Sequence, residues 1–320
     1  LQIAFFNNMP DAALEDTEMQ FFGLLEEASG GVPVSVSLYS LTGVPRGERG
    51  KRHLDGFYCG LDEFWKKQFD GVIITGTEPR QADLRDEPYW RFLTKVFDWA
   101  ERTTTSAVLS CLAAHASVLH SDGIERQRLP DKQFGVFDAV KKENHSILSN
   151  TPETIRFPHS RWNELREADL IAAGYTVLTQ SAAAGVDTFL KRRGDSLFLY
   201  FQGHPEYGLE TLFKEYRRDI KRYLNRERET YPTMPTGYFG PEAGALLLDF
   251  EKRARAERHD EIMALFPENE LVRGLADAWH ATAIRLYRNW LEYLAGVRAG
   301  AESPKPVLTE RESSMDSLSR

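Results

Sequence analysis

What most constrains this chain is a set of short, unbroken apolar runs, each stopping at a turn before helical periodicity begins. Ile3-Ala4-Phe5-Phe6 runs into Asn7-Asn8-Met9-Pro10, and Phe69-Asp70-Gly71-Val72-Ile73-Ile74-Thr75 ends at Gly76 in a polar loop. Ala107-Val108-Leu109-Ser110 leads into Cys111 and a helix-like stretch of small residues, Leu112-Ala113-Ala114-His115-Ala116. Between the runs, apolar residues recur at helical spacing over 14–27 (Phe21, Leu24 and Leu25) and 89–100 (Trp90, Leu93, Val96 and Phe97). Val34 to Leu38 alternates like a strand. Shorter β-rich segments follow Pro158, at 175–179, 188–192 and 197–201, and then a helical stretch at 209–224. This rhythm predicts an α/β fold, an open, mainly parallel sheet flanked by helices. Ligands of such sheets gather at the carboxyl ends of the strands. Gly76, Cys111 and His204 each follow a strand, so they are expected to line one crevice.

Beyond that rhythm the chain reads as an extension. Pro232, Pro235 and Pro241 mark an irregular crossing segment. Helices are expected over 243–265 and 270–294, the second packing through Ala278, Ala281, Ile284, Leu286, Trp290 and Leu294. The expected division is an α/β domain at 1–230, a crossing segment with helices packed on it at 231–300, and a Ser-, Pro- and charge-rich disordered tail at 301–320. No internal repeat is visible.

Composition narrows the function classes. A net charge of −8 leaves no basic excess to neutralise phosphates, which argues against nucleic-acid or anionic-membrane partners. The two cysteines, Cys59 and Cys111, are too few for a disulfide scaffold and fit a reducing cytoplasm. No apolar run reaches the roughly 18 residues of a membrane span. No basic-then-apolar leader is visible, although a chain opening at Leu1 is expected to lack its true start.

Cys111 is the first candidate for chemistry. A residue on a strand-to-helix turn presents its side chain at the sheet edge, and the next amide can face a reacting oxygen. A thiolate is a strong nucleophile, favoured near a helix N-terminus. The second element is Gly203-His204-Pro205-Glu206, also directly after a strand. Thiol acyl transfer needs a thiolate, a base and oxyanion donors. Cys111 and His204 supply the first two. Glu206, two residues on, points the same way as His204 in extended chain and can hold the other ring nitrogen. The amides of Leu112 and of Gly76-Thr77 are the candidate donors. Blander readings stand beside these: a lone cysteine is often a small core residue, and His-Pro-Glu alone reads as a loop. His115 and His120 rival His204 as base, but His115 at i+4 lies along the same helix and is expected to pack or cap. No metal-ligand spacing is present, and Gly76-Thr77-Glu78-Pro79 lacks the glycines and lysine of a phosphate loop.

These residues fall within collinear stretches that resemble the homoserine O-succinyltransferase family, which includes homoserine O-acetyltransferases and is related to class I glutamine amidotransferases. The stretches are Asn7-Asn8-Met9-Pro10, Glu18-Met19-Gln20-Phe21, His53-Leu54-Asp55-Gly56-Phe57-Tyr58, the Phe69–Gly76 run and Phe134-Gly135-Val136-Phe137. Pro158-His159-Ser160-Arg161, Gly203-His204-Pro205-Glu206-Tyr207, Glu215, Arg217-Arg218-Asp219 and Asn289-Trp290-Leu291-Glu292-Tyr293 complete them. The resemblance covers most of 3–240 and resumes at 280–293. It implies a class I amidotransferase-like fold and acyl transfer from succinyl-CoA or acetyl-CoA to the hydroxyl of homoserine, for methionine synthesis. No permanently bound cofactor is implied; the chain would act as a cytoplasmic homodimer. Cys111 matches the nucleophile that becomes an acyl-thioester, His204 the base and Glu206 its partner. Arg218 matches an arginine that holds the amino acid's carboxylate; read alone, it is a solvated helix arginine. Ser160 falls in the matched substrate-binding stretch.

The departures bear on donors and specificity. Leu112-Ala113-Ala114-His115-Ala116 replaces the family's Trp-led Gly-Ala-Gln-Ala-like run, and Asp11 replaces a lysine proposed to assist the oxyanion, with a two-residue insertion beyond. The position tied to acyl choice is Arg80. A cation there pairs with a succinyl carboxylate, fills the acyl pocket or contacts CoA phosphate; the first reading favours succinyl-CoA. The segment 243–265 is an insertion that covers the site or extends an interface. Alternatives are an acyltransferase acting on another hydroxy amino acid such as serine, a glutamine amidotransferase-like hydrolase with the same triad, and a binding protein without activity.

Overall fold

The computed structural model describes residues 1–300; the expected tail lies outside the described residues. In chain order the first strands are β1 (Gln2–Phe6), β2 (Ser35–Tyr39), β3 (Gly71–Ile74), β4 (Ser106–Ser110), β5 (Gln127–Lys141) and β6 (Thr154–Glu164). Then come β7 (Thr176–Val177), β8 (Thr179–Ser181), β9 (Gly185–Val186), β10 (Thr188–Arg193) and β11 (Ser196–Phe201). Seven form one sheet in the order β2-β1-β3-β4-β11-β10-β7. Its first five members pair parallel, and β10 and β7 add antiparallel at one edge.

The unbroken apolar runs become strands covered on both faces. Every residue of β3, β4 and β11 is buried, as expected where helices cover both sides of a parallel sheet. Alternate side chains feed opposite layers. Ile3, Phe5, Ile73, Val108, Leu199 and Phe201 join one core with Phe21, Leu24 and Leu25 of the Leu14–Ser29 helix. Ala4, Phe6, Val72, Ile74, Ala107 and Leu109 join the other with Leu93, Val96 and Phe97 of the Trp90–Thr103 helix. The first layer is closed by the helix His280–Arg298, which packs on Leu14–Ser29. Its Trp290 is fully buried, and the indole Nε1 donates to Ser106 Oγ at 2.9 Å. None of the described helices is long and apolar enough to cross a membrane.

Three expectations need correction. A second, antiparallel sheet, β6-β5-β8-β9, was not anticipated. β5 and β6 pair over ten positions with a register shift between Arg128 and Gln133. Pro130, which has no amide to donate, and the charges around it fall in that shift and broke the strand pattern in the sequence. The expected helix at 270–294 is two, Glu268–Arg273 and His280–Arg298. Asp277 restarts it, its Oδ1 accepting from the amides of Trp279 at 3.1 Å and His280 at 2.9 Å. The stretch 243–265 also divides, into a helix Pro241–Ala256 that begins on proline and a 3-10 turn at Asp260–Leu265.

Candidate active site

β3, β4 and β11 lie side by side, with Ile73 and Ile74 opposite Val108 and Leu109, and Phe201 opposite Ser110. Their exits therefore converge. Cys111 follows β4 with φ 49° and ψ −106°, a strained conformation for a residue with a β-carbon that costs about 1–3 kcal/mol. The surroundings hold it there: its amide donates to Phe201 O at 2.8 Å, and its carbonyl accepts from the His115 amide at 3.2 Å. Helix Leu112–Asp122 starts at the next residue, so the sulfur stands at its N-terminus, partly exposed. Gly76, after β3, lies against that first turn. A β-carbon on it would sit 2.4 Å from Leu112 Cβ and 3.2 Å from the Ala113 amide nitrogen. Only glycine allows the two loops so close, and the close approach brings the Leu112 and Thr77 backbones to one place.

His204 and Glu206 are both buried. His204 Nδ1 is 2.9 Å from Glu206 Oε1, which also accepts from Ser110 Oγ at 2.8 Å. The carboxylate thus links the base to the residue preceding Cys111. Glu206 does not arrive there along extended chain, as expected from sequence. Pro205 and Glu206 form a turn closed by the Tyr207 amide on His204 O at 3.2 Å, with proline at its preferred second position. Burial alone would lower the pKa of His204, but the Glu206 carboxylate and then the Cys111 sulfur hold it well above the ordinary value.

Behind the base, an added β-carbon at Gly203 would fall 2.6 Å from Asp187 Oδ1 and 2.9 Å from His159 Nε2. Those groups belong to a fully buried cluster. His159 Nε2 lies 3.2 Å from Asp187 Oδ1, and Arg161 Nε donates to His159 Nδ1 at 3.3 Å. Burial foremost lowers the pKa of His159, so the ring is neutral. In front, the Tyr207 ring stacks on His204 at 4.2 Å and its hydroxyl donates to Glu215 Oε1 at 2.8 Å. Glu215 Oε2 accepts from Ser160 Oγ at 2.5 Å and Lys132 Nζ at 3.3 Å. Burial works to raise the Glu215 pKa, yet Lys132, Ser160 and Tyr207 bring it below the ordinary value. Arg218, half exposed, pairs with Asp219 at 3.2 Å and lies 3.9 Å from Glu215.

The other candidates are elsewhere. His115 is buried against Gln202 Oε1 at 3.0 Å, its pKa lowered to about 3 by burial and then by Arg161; it is a neutral packing residue. His120 meets Asp98 at 2.8 Å near the surface. Thr77 is buried, whereas Arg80 is exposed, its amide held with that of Gln81 by Glu87 Oε1 at 2.5 and 2.6 Å. Asp11 does not stand in for a lysine. It accepts from the Gly47 amide at 2.7 Å, where helix Glu48–Phe57 begins, and pairs with buried Arg46. The Asn-Asn motif has a structural use: Asn8 bonds Thr75 at 2.8 and 3.0 Å, joining β1 to the β3 exit. Sequence reading missed Lys132 and the roles of His159, Arg161 and Tyr207. Only the matched stretches Pro158–Arg161 and Gly203–Tyr207 carried any signal for them. Among the described residues no cluster could hold a metal ion.

Fold and site together define the class: an open-sheet α/β protein with a cysteine elbow beside a histidine and a glutamate. The chain belongs, more narrowly, to the homoserine O-succinyltransferase family, whose model matches residues 1–299. A homoserine O-succinyltransferase of Rhodopseudomonas palustris is 44% identical over 92% of this chain and 88% of its own. That of Bradyrhizobium japonicum is 45% identical over 92% of this chain and 90% of its own. Among solved structures the chain is similar to a glutamine amidotransferase from Methylobacillus flagellatus, at 15% identity and TM-score 0.48, covering 91% of this chain and 92% of that one.

Proposed function

We propose that the protein is a homoserine O-acyltransferase of methionine biosynthesis, moving a succinyl group from succinyl-CoA to the hydroxyl of homoserine through a thioester on Cys111. The observation that carries this reading is the single Glu206 oxygen that meets both His204 Nδ1 and the Ser110 hydroxyl, beside the strained Cys111. A ring that keeps its proton offers positive charge to the sulfur. The thiolate attacks the CoA thioester carbonyl, and the oxyanion is met by the amides of Leu112 and Thr77. Collapse releases CoA, which takes the proton from His204. The neutral ring then removes the proton of the homoserine hydroxyl as that oxygen attacks the acyl-enzyme. Expulsion of the Cys111 thiolate leaves the ester product and a protonated His204, ready for the next cycle.

Arg218 would hold the amino acid's carboxylate as a planar fork, with Ser160 beside it, one stacked ring from His204. Arg80, exposed at the rim, would meet CoA phosphate. Nothing in this scheme calls for a bound cofactor. We place the chain in the cytoplasm as a homodimer, which sedimentation would measure. Intact-mass spectrometry after mixing with succinyl-CoA or acetyl-CoA tests the mechanism. A hydroxylamine-labile acyl adduct mapping to Cys111, absent in Cys111→Ala, is expected. A Cys111→Ala variant as active as the parent, or glutamine hydrolysis without CoA release, would overturn it.

A further inference from the structure

β4 reads Ser106-Ala107-Val108-Leu109-Ser110, so its two end hydroxyls share a face with Val108. That face belongs to the layer covered by the helix Leu14–Ser29. The hydroxyl of Ser106 is accounted for by Trp290 Nε1 and the Leu197 carbonyl. Ser110 is 2% exposed, and a hydroxyl so buried needs a partner. It donates to Glu206 Oε1 at 2.8 Å. The same oxygen meets His204 Nδ1 at 2.9 Å, whereas Glu206 Oε2 is buried with no hydrogen-bond partner among the described residues. The carboxylate is therefore held by two contacts on one oxygen, and one of them is the base it has to steady. Packing adds little on the other side of the turn, where Pro205 to Gly208 line a cavity of about 140 Å³ together with Gln20, Gly23 and Leu24. Stacking on Tyr207, at 4.2 Å and 18° between the planes, fixes the plane of the His204 ring. Rotation within that plane is left to the Nδ1 contact.

We infer that Ser110 is a positioning residue for the reaction: its hydroxyl fixes Glu206 Oε1 and thereby the orientation of the His204 ring. Of the two groups on that oxygen, Ser110 alone stands on a frame independent of the base. It is the last residue of a central strand, paired with Phe201 of β11, and the next residue is Cys111. The charge-assisted bond thus ties the carboxylate to the chain that carries the sulfur. Base and nucleophile share one reference. Without the hydroxyl the carboxylate can turn about its side-chain bonds with only the ring to hold it. An alanine there removes one oxygen atom and keeps the strand, so the loss is one of orientation rather than of fold. The inference rests on the reading of Cys111, His204 and Glu206 as the reacting set.

The experiment is a double-mutant cycle of Ser110→Ala with Glu206→Ala, joined by Ser110→Thr. In succinyl transfer to homoserine, Ser110→Ala should lower kcat about 10-fold or more, the size expected for a hydrogen bond to a charged group, with KM for homoserine unchanged. Ser110→Thr keeps the hydroxyl and should retain most of the rate. In the Glu206→Ala background the same Ser110→Ala exchange should change nothing, because no carboxylate remains to be held. An equal fall in both backgrounds would show that Ser110 acts through packing and would overturn the inference, as would a Ser110→Ala variant as active as the parent. The cycle is also read without acyl-CoA, from the rate at which iodoacetamide alkylates Cys111, followed on its own peptide so that Cys59 does not contribute. There too Ser110→Ala should slow the reaction only where Glu206 is present. If alkylation shows this coupling while no acyl transfer occurs, the acyltransferase reading fails and the role of Ser110 stands. Alkylation without coupling refutes that role.

Discussion

At the residue scale the site is governed by how few groups can satisfy His204. Its proton is stabilised by Glu206 and Cys111 against the cost of burial, and this has a stability signature. A histidine whose pKa is raised on folding stabilises the native state fully below its unfolded value of about 6.5, and the contribution fades as pH rises through the folded value. Denaturation of the parent and His204→Asn across pH should therefore show the largest gap on the acid side of pH 6.5. That gap should narrow as the medium becomes alkaline; a gap that widens with pH would contradict the assignment. Cys111, His204 and Glu206 were legible because each sits just beyond a recognisable strand, within a few consecutive residues. Lys132 was not: it lies in the register shift of β5, where no alternation marks it, and its meaning is a contact with Glu215, 83 positions away.

The elements explain why these side chains meet. Gly203 belongs to neither a strand nor a helix, yet it decides whether the β11 exit can lie on the buried His159 and Asp187. Gly203→Ala should destabilise the fold by about 1–3 kcal/mol through overpacking and lower kcat more than it raises KM, since it displaces the base rather than the substrate. Thermal unfolding and steady-state kinetics together check this. Wild-type kinetics in a destabilised variant would show that His204 is placed by something else. Strands β3, β4 and β11 could be read from sequence because burial on both faces leaves an unbroken apolar run. β5 and β6 could not, because one face is wet and a proline with an irregular register interrupts the alternation. The restart of the last helix at Asp277 was missed for a related reason: the cap is one polar residue inside an otherwise helical composition.

For the whole molecule, the two core layers share every central strand, so neither can loosen without exposing the other. Trp290 is a sensitive probe of this, buried completely and donating to Ser106 in β4, the strand that carries the cysteine. Trp290→Ala should cost about 3–5 kcal/mol, read as a lower denaturant midpoint with an unchanged slope. A loss below about 1 kcal/mol would mean that this helix is peripheral. Family membership, by contrast, was legible from collinear motifs along nearly the full chain, because many of them are buried ties such as Asn8 to Thr75 rather than groups that touch substrate.

One consequence follows for a polypeptide made vectorially. The helix His280–Arg298 seals the layer over the opening strand, where it lies on Leu14–Ser29. A nascent chain would thus hold the apolar face of Leu14–Ser29 uncovered until the residues of His280–Arg298 had been translated. Ribosome-bound intermediates stopped before that helix emerges would be the natural clients of chaperones.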